Sequence, residues 1–368
     1  MSGQARKTGE GARPEAELAG RRQDWGVVST VSEAPELVAA FAAHALSLGA
    51  AEVCLYLDEP APEIERMLGS NPRVRLVRCD AAYWAGLGMA RPWVPAMRQR
   101  ANLKVELDAA RYPWLLHIDA DEFLWGPGDM GEILAAQPEE TGFLLIPVAE
   151  RVHSGPADAA NVFGGRFRRQ VGGEAEAAIA RLDGPAAPFL DQGMAGYAGG
   201  KSFFRSGGRA ASGVHLPDGA GEPLNVLYSH LILHFDGLTP AGWVAKKRRA
   251  IAQQPEWRSF PDSHRATRNQ LAAVHDATDD AAAALVYAVI KELDPAREAA
   301  LAAQGILLDV ELHLPAKIEA AFPGLALDLS AAALDRHVMA YRPRRDFQAV
   351  KHGLRAMLSR WTGRRPRA

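Results

Sequence analysis

The stretch from residue 24 to residue 118 alternates four short apolar runs with three helical segments. The runs start at Trp25 (WGVVSTV), Glu52 (EVCLYL), Val74 (VRLVR) and Trp114 (WLLHI), and the helical segments cover residues 35–48, 61–68 and 95–110. Strands that alternate with helices predict a mainly parallel sheet with helices on both faces. With 368 residues, 48% of them hydrophobic, the chain can bury a core of that size.

Parallel sheets of this kind bind ligands beyond the carboxyl ends of their strands. The corresponding loops are residues 29–33, 58–62, 79–91 and 119–122. Candidate functional side chains are therefore expected in these four loops.

The last of these loops is acidic, since Asp119, Asp121 and Glu122 follow directly on the apolar run WLLHI. Carboxylates at positions i and i+2 can bind one divalent ion, directly or through water. A bound Mg²⁺ or Mn²⁺ can then act as a Lewis acid on a phosphate leaving group. A solvated acidic turn is the alternative, but the aromatic residues Trp114, Phe123 and Trp125 around the acids favour a metal site.

The segment WLLHIDADEFL resembles the W-x-x-x-x-D-x-D-E-F signature of family 2-like glycosyltransferases, in particular the bacterial group related to family 92. The segment STVSEAPELVAAFAAHALSLGAAEVCLYLDEP is similar in layout to that group's first strand, turn, helix and second strand. Ser32 stands where the group usually has Asn, whereas Glu33 is kept. The resemblance covers residues 24–150 well and the rest of the chain in patches.

The resemblance implies a GT-A (nucleotide-diphospho-sugar transferase) fold, a nucleotide-sugar donor, and transfer with inversion at the anomeric carbon. It implies that Thr30 and Glu33 lie at the nucleotide end of the donor, Asp58 near the uracil or ribose, and Gln99 near the donor. Asp119 would face the ribose or the metal, and Asp121 would be the principal metal ligand. Glu122 would either hold metal-bound water or cap the following turn.

Later segments resemble the group in patches, namely GYAGGKSFFR, SGVHLP and LILHFDGLTPAGWVAKKRR. His234 is a candidate third metal ligand, because a neutral imidazole can join two carboxylates on Mn²⁺. Lys201, with Lys246 or Lys247, is a candidate to neutralise the donor diphosphate. Gly237 departs from the pattern, because the group commonly has Ser or another polar residue there, which suggests an altered acceptor region.

An inverting transfer also requires a base that takes the proton of the acceptor hydroxyl. Asp191, Asp218, Glu150 and His215 are candidates, and their spacing does not separate them.

Two other functions are compatible with an acidic metal site. One is a magnesium-dependent phosphoryl or nucleotidyl transferase, although the chain has no GxxxxGK[ST] loop. The other is a non-catalytic carbohydrate-binding protein that keeps the fold. The retention of Asp119, Asp121 and Glu122 together argues against such a loss of activity.

The pattern predicts four regions: a flexible leader (residues 1–23), a glycosyltransferase domain (24–260), a helical extension (261–341) and a basic amphipathic tail (342–368). The first twenty residues lack the apolar core of a signal peptide, and no run of eighteen apolar residues occurs, which predicts a cytoplasmic protein. Cys54 and Cys79 lie in apolar runs and are expected to be buried and free.

The tail carries eight basic residues against one acid from residue 343 onward, with apolar residues at spacings of three and four. This pattern is typical of an interfacial amphipathic helix, so peripheral contact with the inner face of the membrane is one interpretation. A helix docked on the protein's own core is the other. The net charge of −2 gives no indication of a nucleic-acid partner. The expected partners are a nucleotide-sugar donor and a glycan or lipid-linked acceptor, as in polysaccharide biosynthesis.

Overall fold

The structure is a computed structural model that describes residues 21–207, 213–216 and 224–338. Six strands form its first sheet: β1 (Trp25–Val31), β2 (Glu52–Leu57), β3 (Val74–Arg78), β4 (Trp114–His117), β6 (Phe143–Ile146) and β9 (Lys201–Arg205). Their order in space is β3-β2-β1-β4-β9-β6. The first four strands are parallel, and β9 is antiparallel to both β4 and β6.

A second sheet contains β5 (Glu122–Trp125), β7 (Val148–Ser154), β8 (Arg166–Arg169), β10 (Leu231–His234) and β12 (Leu307–Asp309). Its order is β12-β8-β7-β10-β5, and the short strand β11 (Glu292–Leu293) also pairs with β7. Strand β10 runs antiparallel to β5 and parallel to β7. Because β5 follows β4 after a four-residue turn, the acidic loop lies where the two sheets meet.

Twelve α-helices surround the sheets in the described residues. They are α1 (Pro35–Ser47), α2 (Pro62–Leu68), α3 (Ala81–Gly86), α4 (Pro95–Ala109), α5 (Met130–Ala135), α6 (Glu176–Asp183), α7 (Pro240–Gln253), α8 (Arg265–Asp276), α9 (Asp280–Lys291), α10 (Pro295–Ala303), α11 (Leu314–Ala321) and α12 (Ala331–Asp335). None of the described helices is long and apolar enough to span a bilayer.

Helices cover both faces of the first sheet. Alternate residues of β1 face opposite sides of the sheet and pack against different helices. Val27 belongs to a core cluster with Phe41 of α1, whereas Val28 belongs to a cluster with Leu103 of α4. The predicted α/β arrangement, with a mainly parallel run of strands and a helical C-terminal part, is confirmed. Cys54 and Cys79 are buried and free, as predicted.

The bounds of β1, β2 and β3 agree with the predicted apolar runs WGVVSTV, EVCLYL and VRLVR. The apolar run FLLIPVAERV contributes to two strands. Pro147 separates β6 from β7, which belong to different sheets. A proline has no backbone N–H for the ladder, so the chain can leave one sheet there and enter the other.

The residues beyond 260 pack on the same core as the rest of the chain. Strand β12 pairs with β8, and Ile318 of α11 lies in the large core cluster with residues of α1. The leader up to residue 20, the tail from residue 342 and the candidate base Asp218 lie outside the described residues, so the predictions for them stay predictions.

Candidate functional site

The acidic turn between β4 and β5 is closed by its own residues. The backbone N–H of Asp119 donates to Oε2 of Glu122 at 3.0 Å, and the N–H of Glu122 donates to the carbonyl of Asp119 at 3.1 Å. Glu122 was expected either to hold metal-bound water or to cap the following turn. Its bond to Asp119 supports a capping role, but the turn that it caps precedes Glu122 in the chain. Burial raises the pKa of its carboxyl, and Lys201 acts in the opposite direction.

Lys201 lies beneath this turn at the start of β9, with a side chain that is 1% exposed. Its Nζ lies 2.6 Å from Oδ2 of Asp119 and 3.3 Å from Oε2 of Glu122. Burial alone would lower the pKa of Lys201, but the two carboxylates outweigh burial and raise it. The other oxygen of Asp119 accepts a hydrogen bond from the Gln99 side chain. The Lys201 ammonium is therefore paired with the two carboxylates of the acidic turn in this structure.

Asp121 points to a different set of cations. Its Oδ2 lies 3.3 Å from Nζ of Lys246 and 3.8 Å from Nε2 of His234. Burial would raise the pKa of Asp121, but Lys246 and His234 hold it below its usual range. Asp121 is therefore ionised at neutral pH.

His234 stands in the middle of a charged row across the second sheet. Strand pairing places it opposite Glu122 on β5 and beside Glu150 on β7, so the three side chains share one face. Nδ1 of His234 lies 3.9 Å from Oε1 of Glu150. Burial lowers the pKa of His234, but Asp121 outweighs burial and raises it. The ring is thus held among carboxylates on both sides.

Asp236, two residues after His234, was not singled out from the sequence, although it follows the same strand. It is 3% exposed, and its carboxylate lies 3.1 Å from Lys246, 3.8 Å from Lys291 and 4.0 Å from Lys247. Burial would raise its pKa, but the three lysines hold it well below the usual value. Lys246 and Lys247 thus have a buried carboxylate partner, and the side chain of Lys246 remains half exposed.

Gly237 begins a turn whose carbonyls are held by two buried side chains. Arg151 donates to the carbonyls of Gly237 and Leu238 at 3.0 Å, and the Tyr287 hydroxyl donates to the Gly237 carbonyl at 3.2 Å. Gly237 has a φ of +73°, and a Cβ there would lie 2.5 Å from Cβ of Trp243. A side chain would not fit at this position, which is a physical reason for the glycine.

Thr30 and Glu33 lie at the end of β1, close to the acidic turn. Oγ1 of Thr30 accepts a hydrogen bond of 2.8 Å from Asn102 of α4. Glu33 is partly exposed, and its carboxylate accepts from the backbone N–H of Ser32 at 2.7 Å. Burial of the carboxyl, together with the charge of Asp121, raises the pKa of Glu33 to about 7. Glu33 and Asp121 line the same cavity, so the structure brings these predicted residues together.

Asp58 lies at the end of β2 and lines a separate cavity of about 760 Å³ with residues that follow β3. Its Oδ2 accepts from Arg98 at 2.7 Å and lies 3.0 Å from Arg91, whereas its buried Oδ1 has no hydrogen-bond partner in the described structure. Arg98 also donates to the carbonyls of Pro92 and Trp93. Asp58 therefore anchors the loop before α4 and keeps one acceptor oxygen unpaired.

Three of the candidate bases lie within the described residues. Glu150 accepts from the backbone N–H groups of Ala195 and Gly196 and lies 3.0 Å from Lys291. His215 bonds to the Gly200 carbonyl, and burial lowers its pKa to about 4. Asp191 is exposed in a turn with Met194. None of these contacts assigns the base.

A divalent ion would find suitable ligands at Asp121 and His234, an ionised carboxylate and an imidazole 3.8 Å apart. The full predicted set does not converge, because the Asp119 carboxylate lies on Lys201 and Gln99. Among the described residues, ligand atoms of three side chains come within 4.8 Å of one another at Glu52, Cys54 and Glu106. Arg75 already pairs with Glu106 at 2.6 Å and with Glu52 at 3.0 Å, so that group is a structural ion-pair cluster.

No protein-family model and no curated protein matches the chain. Among solved structures, the chain is similar to S. aureus TarS 1–349, alone and in complex with UDP, at 12% identity and a TM-score of 0.31, over 68% of this chain and 70% of that one. It is also similar to the galactosyltransferase LgtC in complex with donor and acceptor sugar analogues, at 12% identity and a TM-score of 0.25, over 49% and 57% of the two chains. Similarity of this extent does not indicate a function for this chain.

Proposed function

We propose that this chain is a metal-dependent, inverting glycosyltransferase of the GT-A fold that transfers a sugar from a nucleotide-diphosphate donor. One observation carries the proposal. The acidic turn at the end of β4 lies on the same edge of the parallel strands as the cavity at the end of β2. This is the edge where such sheets bind nucleotides.

The cavity around Asp58 suits the nucleoside part of the donor. Its volume of about 760 Å³ is within the range of about 300–1,000 Å³ that is typical of small-molecule sites. The carboxylate of Asp58 lines this cavity, and a carboxylate can accept a hydrogen bond from a ribose hydroxyl or a base N–H. Thr30 lies at the end of the neighbouring strand, toward the acidic turn.

The diphosphate would then lie over the acidic turn. Asp121 and His234 would hold Mn²⁺ or Mg²⁺, which stabilises the negative charge that develops on the departing phosphate. Asp119 would face the ribose or reach the metal through water, oriented by Lys201 and Gln99. Glu122 would keep the turn closed, and the half-exposed Lys246 would face the diphosphate.

In the transfer, the acceptor oxygen bonds to the anomeric carbon while the bond from that carbon to the diphosphate oxygen breaks. The bonding electrons leave with the diphosphate, and the hydroxyl proton passes to a base of the protein. The acceptor is a glycan or a lipid-linked saccharide.

Thermal-shift measurements with UDP, GDP, CDP and dTDP, each with and without Mn²⁺, test this proposal. One nucleotide should raise the unfolding temperature, and more so with Mn²⁺, because a ligand at about 100 times its Kd stabilises the folded state by about 2.7 kcal/mol. Slow release of free sugar from the matching nucleotide sugar would separate an enzyme from a non-catalytic binding protein. If no nucleotide shifts the unfolding temperature, the proposal fails.

A further inference from the structure

A second, smaller cavity of about 200 Å³ is lined in part by Asp121. Four segments line it: the turn after β1 with Glu33, the acidic turn with Asp121, the turn and helix after β10, and the end of α12 with the residues that follow it. In the strand order β3-β2-β1-β4, the Asp58 cavity lies at the ends of β2 and β3, whereas this one lies at the end of β1 and beyond β4. The two cavities have no lining residue in common, so they are separate.

One face of α7 forms the basic wall of the smaller cavity. The residues that line it are Gly242, Ala245, Lys246 and Arg249. They follow the spacing i, i+3, i+4 and i+7 that places side chains on one side of a helix. Gly242 and Ala245 are small, so the two longer cationic side chains have room at the cavity.

Arg249 has no hydrogen-bond or ion-pair partner within the described residues, which distinguishes it from its basic neighbours. Lys246 pairs with Asp121 and Asp236, and Arg248 pairs with Asp280 at 2.6 Å. A guanidinium offers a fork of N–H donors that matches the two oxygens of a carboxylate or phosphate. An unpaired guanidinium at a cavity next to Asp121 is therefore suited to an anionic group of a ligand.

The remaining walls of this cavity are both acidic and apolar. Glu33 and Asp121 offer carboxylate oxygens that can accept hydrogen bonds from sugar hydroxyls, and Leu37 and Leu238 offer apolar surface. Its volume is smaller than that of typical small-molecule sites, so it suits one sugar unit rather than a whole nucleotide sugar.

We propose that this cavity is the acceptor subsite, and that Arg249 binds an anionic group, a phosphate or a carboxylate, carried by the acceptor sugar. The acceptor role of this cavity rests on the proposed glycosyltransferase function. The binding of an anion by Arg249 does not depend on that function. The acceptor hydroxyl that reacts would lie toward Asp121, and the anion would lie near Arg249 of α7.

The test is a thermal-shift titration of the full chain with inorganic phosphate and, separately, with acetate, at constant ionic strength. The native protein should show a saturable shift with one of these anions, and that anion identifies the phosphate or carboxylate class. Arg249→Gln should weaken the apparent affinity about tenfold or more, equivalent to about 1.4 kcal/mol. Arg248→Gln is the matched control, since it removes the same charge from the adjacent residue, outside the cavity, and should respond like the native protein.

Equal weakening in both variants, or no saturable response to either anion, would overturn the proposal. A further titration includes saturating UDP and Mg²⁺. If the shifts in unfolding temperature caused by the anion and by UDP with Mg²⁺ are additive, the two ligands bind at separate sites, as an acceptor subsite requires. If the anion causes no further shift in the presence of UDP, Arg249 belongs to the donor diphosphate site and the proposal is overturned. If no nucleotide binds but the anion response still depends on Arg249, the anion site stands and the glycosyltransferase proposal fails.

Discussion

Nζ of Lys201 lies 2.6 Å from Oδ2 of Asp119 and joins the start of β9 to the acidic turn after β4. The lysine is 1% exposed, whereas the Asp119 side chain is 28% exposed. The pair holds one wall of the proposed donor site in place, since the same ammonium also reaches Glu122.

We expect Lys201→Met to destabilise the fold by about 3–5 kcal/mol, because it leaves two carboxylates without their buried cation. Urea denaturation at pH 7.5 measures this loss. Lys104→Met is the control, and it should cost about 1 kcal/mol or less because both side chains of its pair with Asp108 are exposed. Equal losses in the two variants would show that Lys201 does not support the turn.

Asp121→Asn should abolish the Mn²⁺-dependent part of nucleotide binding, and transfer with it, while the fold remains nearly intact. The amide keeps the shape of the side chain but loses the charge that a divalent ion requires. Asp119→Asn should also weaken donor binding. The control is Asp108→Asn, at an exposed residue that pairs with Lys104 of the same helix. Native turnover in the Asp121 variant would show that the metal assignment is wrong.

Asp58→Ala should weaken nucleotide binding, and the structure adds a cost in stability. Its partner Arg98 would lose one ionic contact and keep the carbonyls of Pro92 and Trp93, so the cost should be about 1–3 kcal/mol. Calorimetric titration with the best-binding nucleotide, alongside urea denaturation, separates the two effects. Undiminished affinity in a less stable variant would mark Asp58 as a structural residue.

Stability should fall as the pH drops below 6.5. Burial lowers the pKa of His44 and His153 to about 3 and that of His117 and His215 to about 4. Between pH 6.5 and about 4 the unfolded chain binds protons that the folded chain does not, so each histidine contributes about 1.4 kcal/mol of lost stability per pH unit. Glu33 acts in the opposite direction between pH 4.5 and 7, because its pKa is raised in the folded state.

Urea denaturation at pH 7.5 and 5.5 measures this dependence. His44→Gln should lower stability at pH 7.5, because His44 bonds to the Leu124 carbonyl, but its stability should fall less steeply with acid than that of the native protein. A slope equal to that of the native protein would show that His44 is protonated in the folded state.

Local patterns in the sequence were sufficient for the first half of the fold. The strands β1 to β4 and the helices α1, α2 and α4 follow from the apolar runs and helical segments of the sequence, whereas the short helix α3 lies in a segment that was expected to be a loop. The acidic turn was also found, because Asp119, Asp121 and Glu122 are adjacent in the chain and follow a strand. Side chains that leave one strand end within four residues must lie at the same edge of the sheet, whatever the rest of the chain does.

Only the tertiary structure decided which charges meet at that edge. Lys201 is 82 residues from Asp119, Lys246 is 125 residues from Asp121, and Arg98 is 40 residues from Asp58. The first two contacts depend on the pairing of β9 with β4 and of β10 with β5 and β7, which no local period encodes. The ion pair between a carboxylate and a distant cation cannot be predicted from local patterns in the sequence. Arg248 pairs with Asp280, whereas Arg249 has no partner among the described residues, although the two arginines are neighbours in the chain.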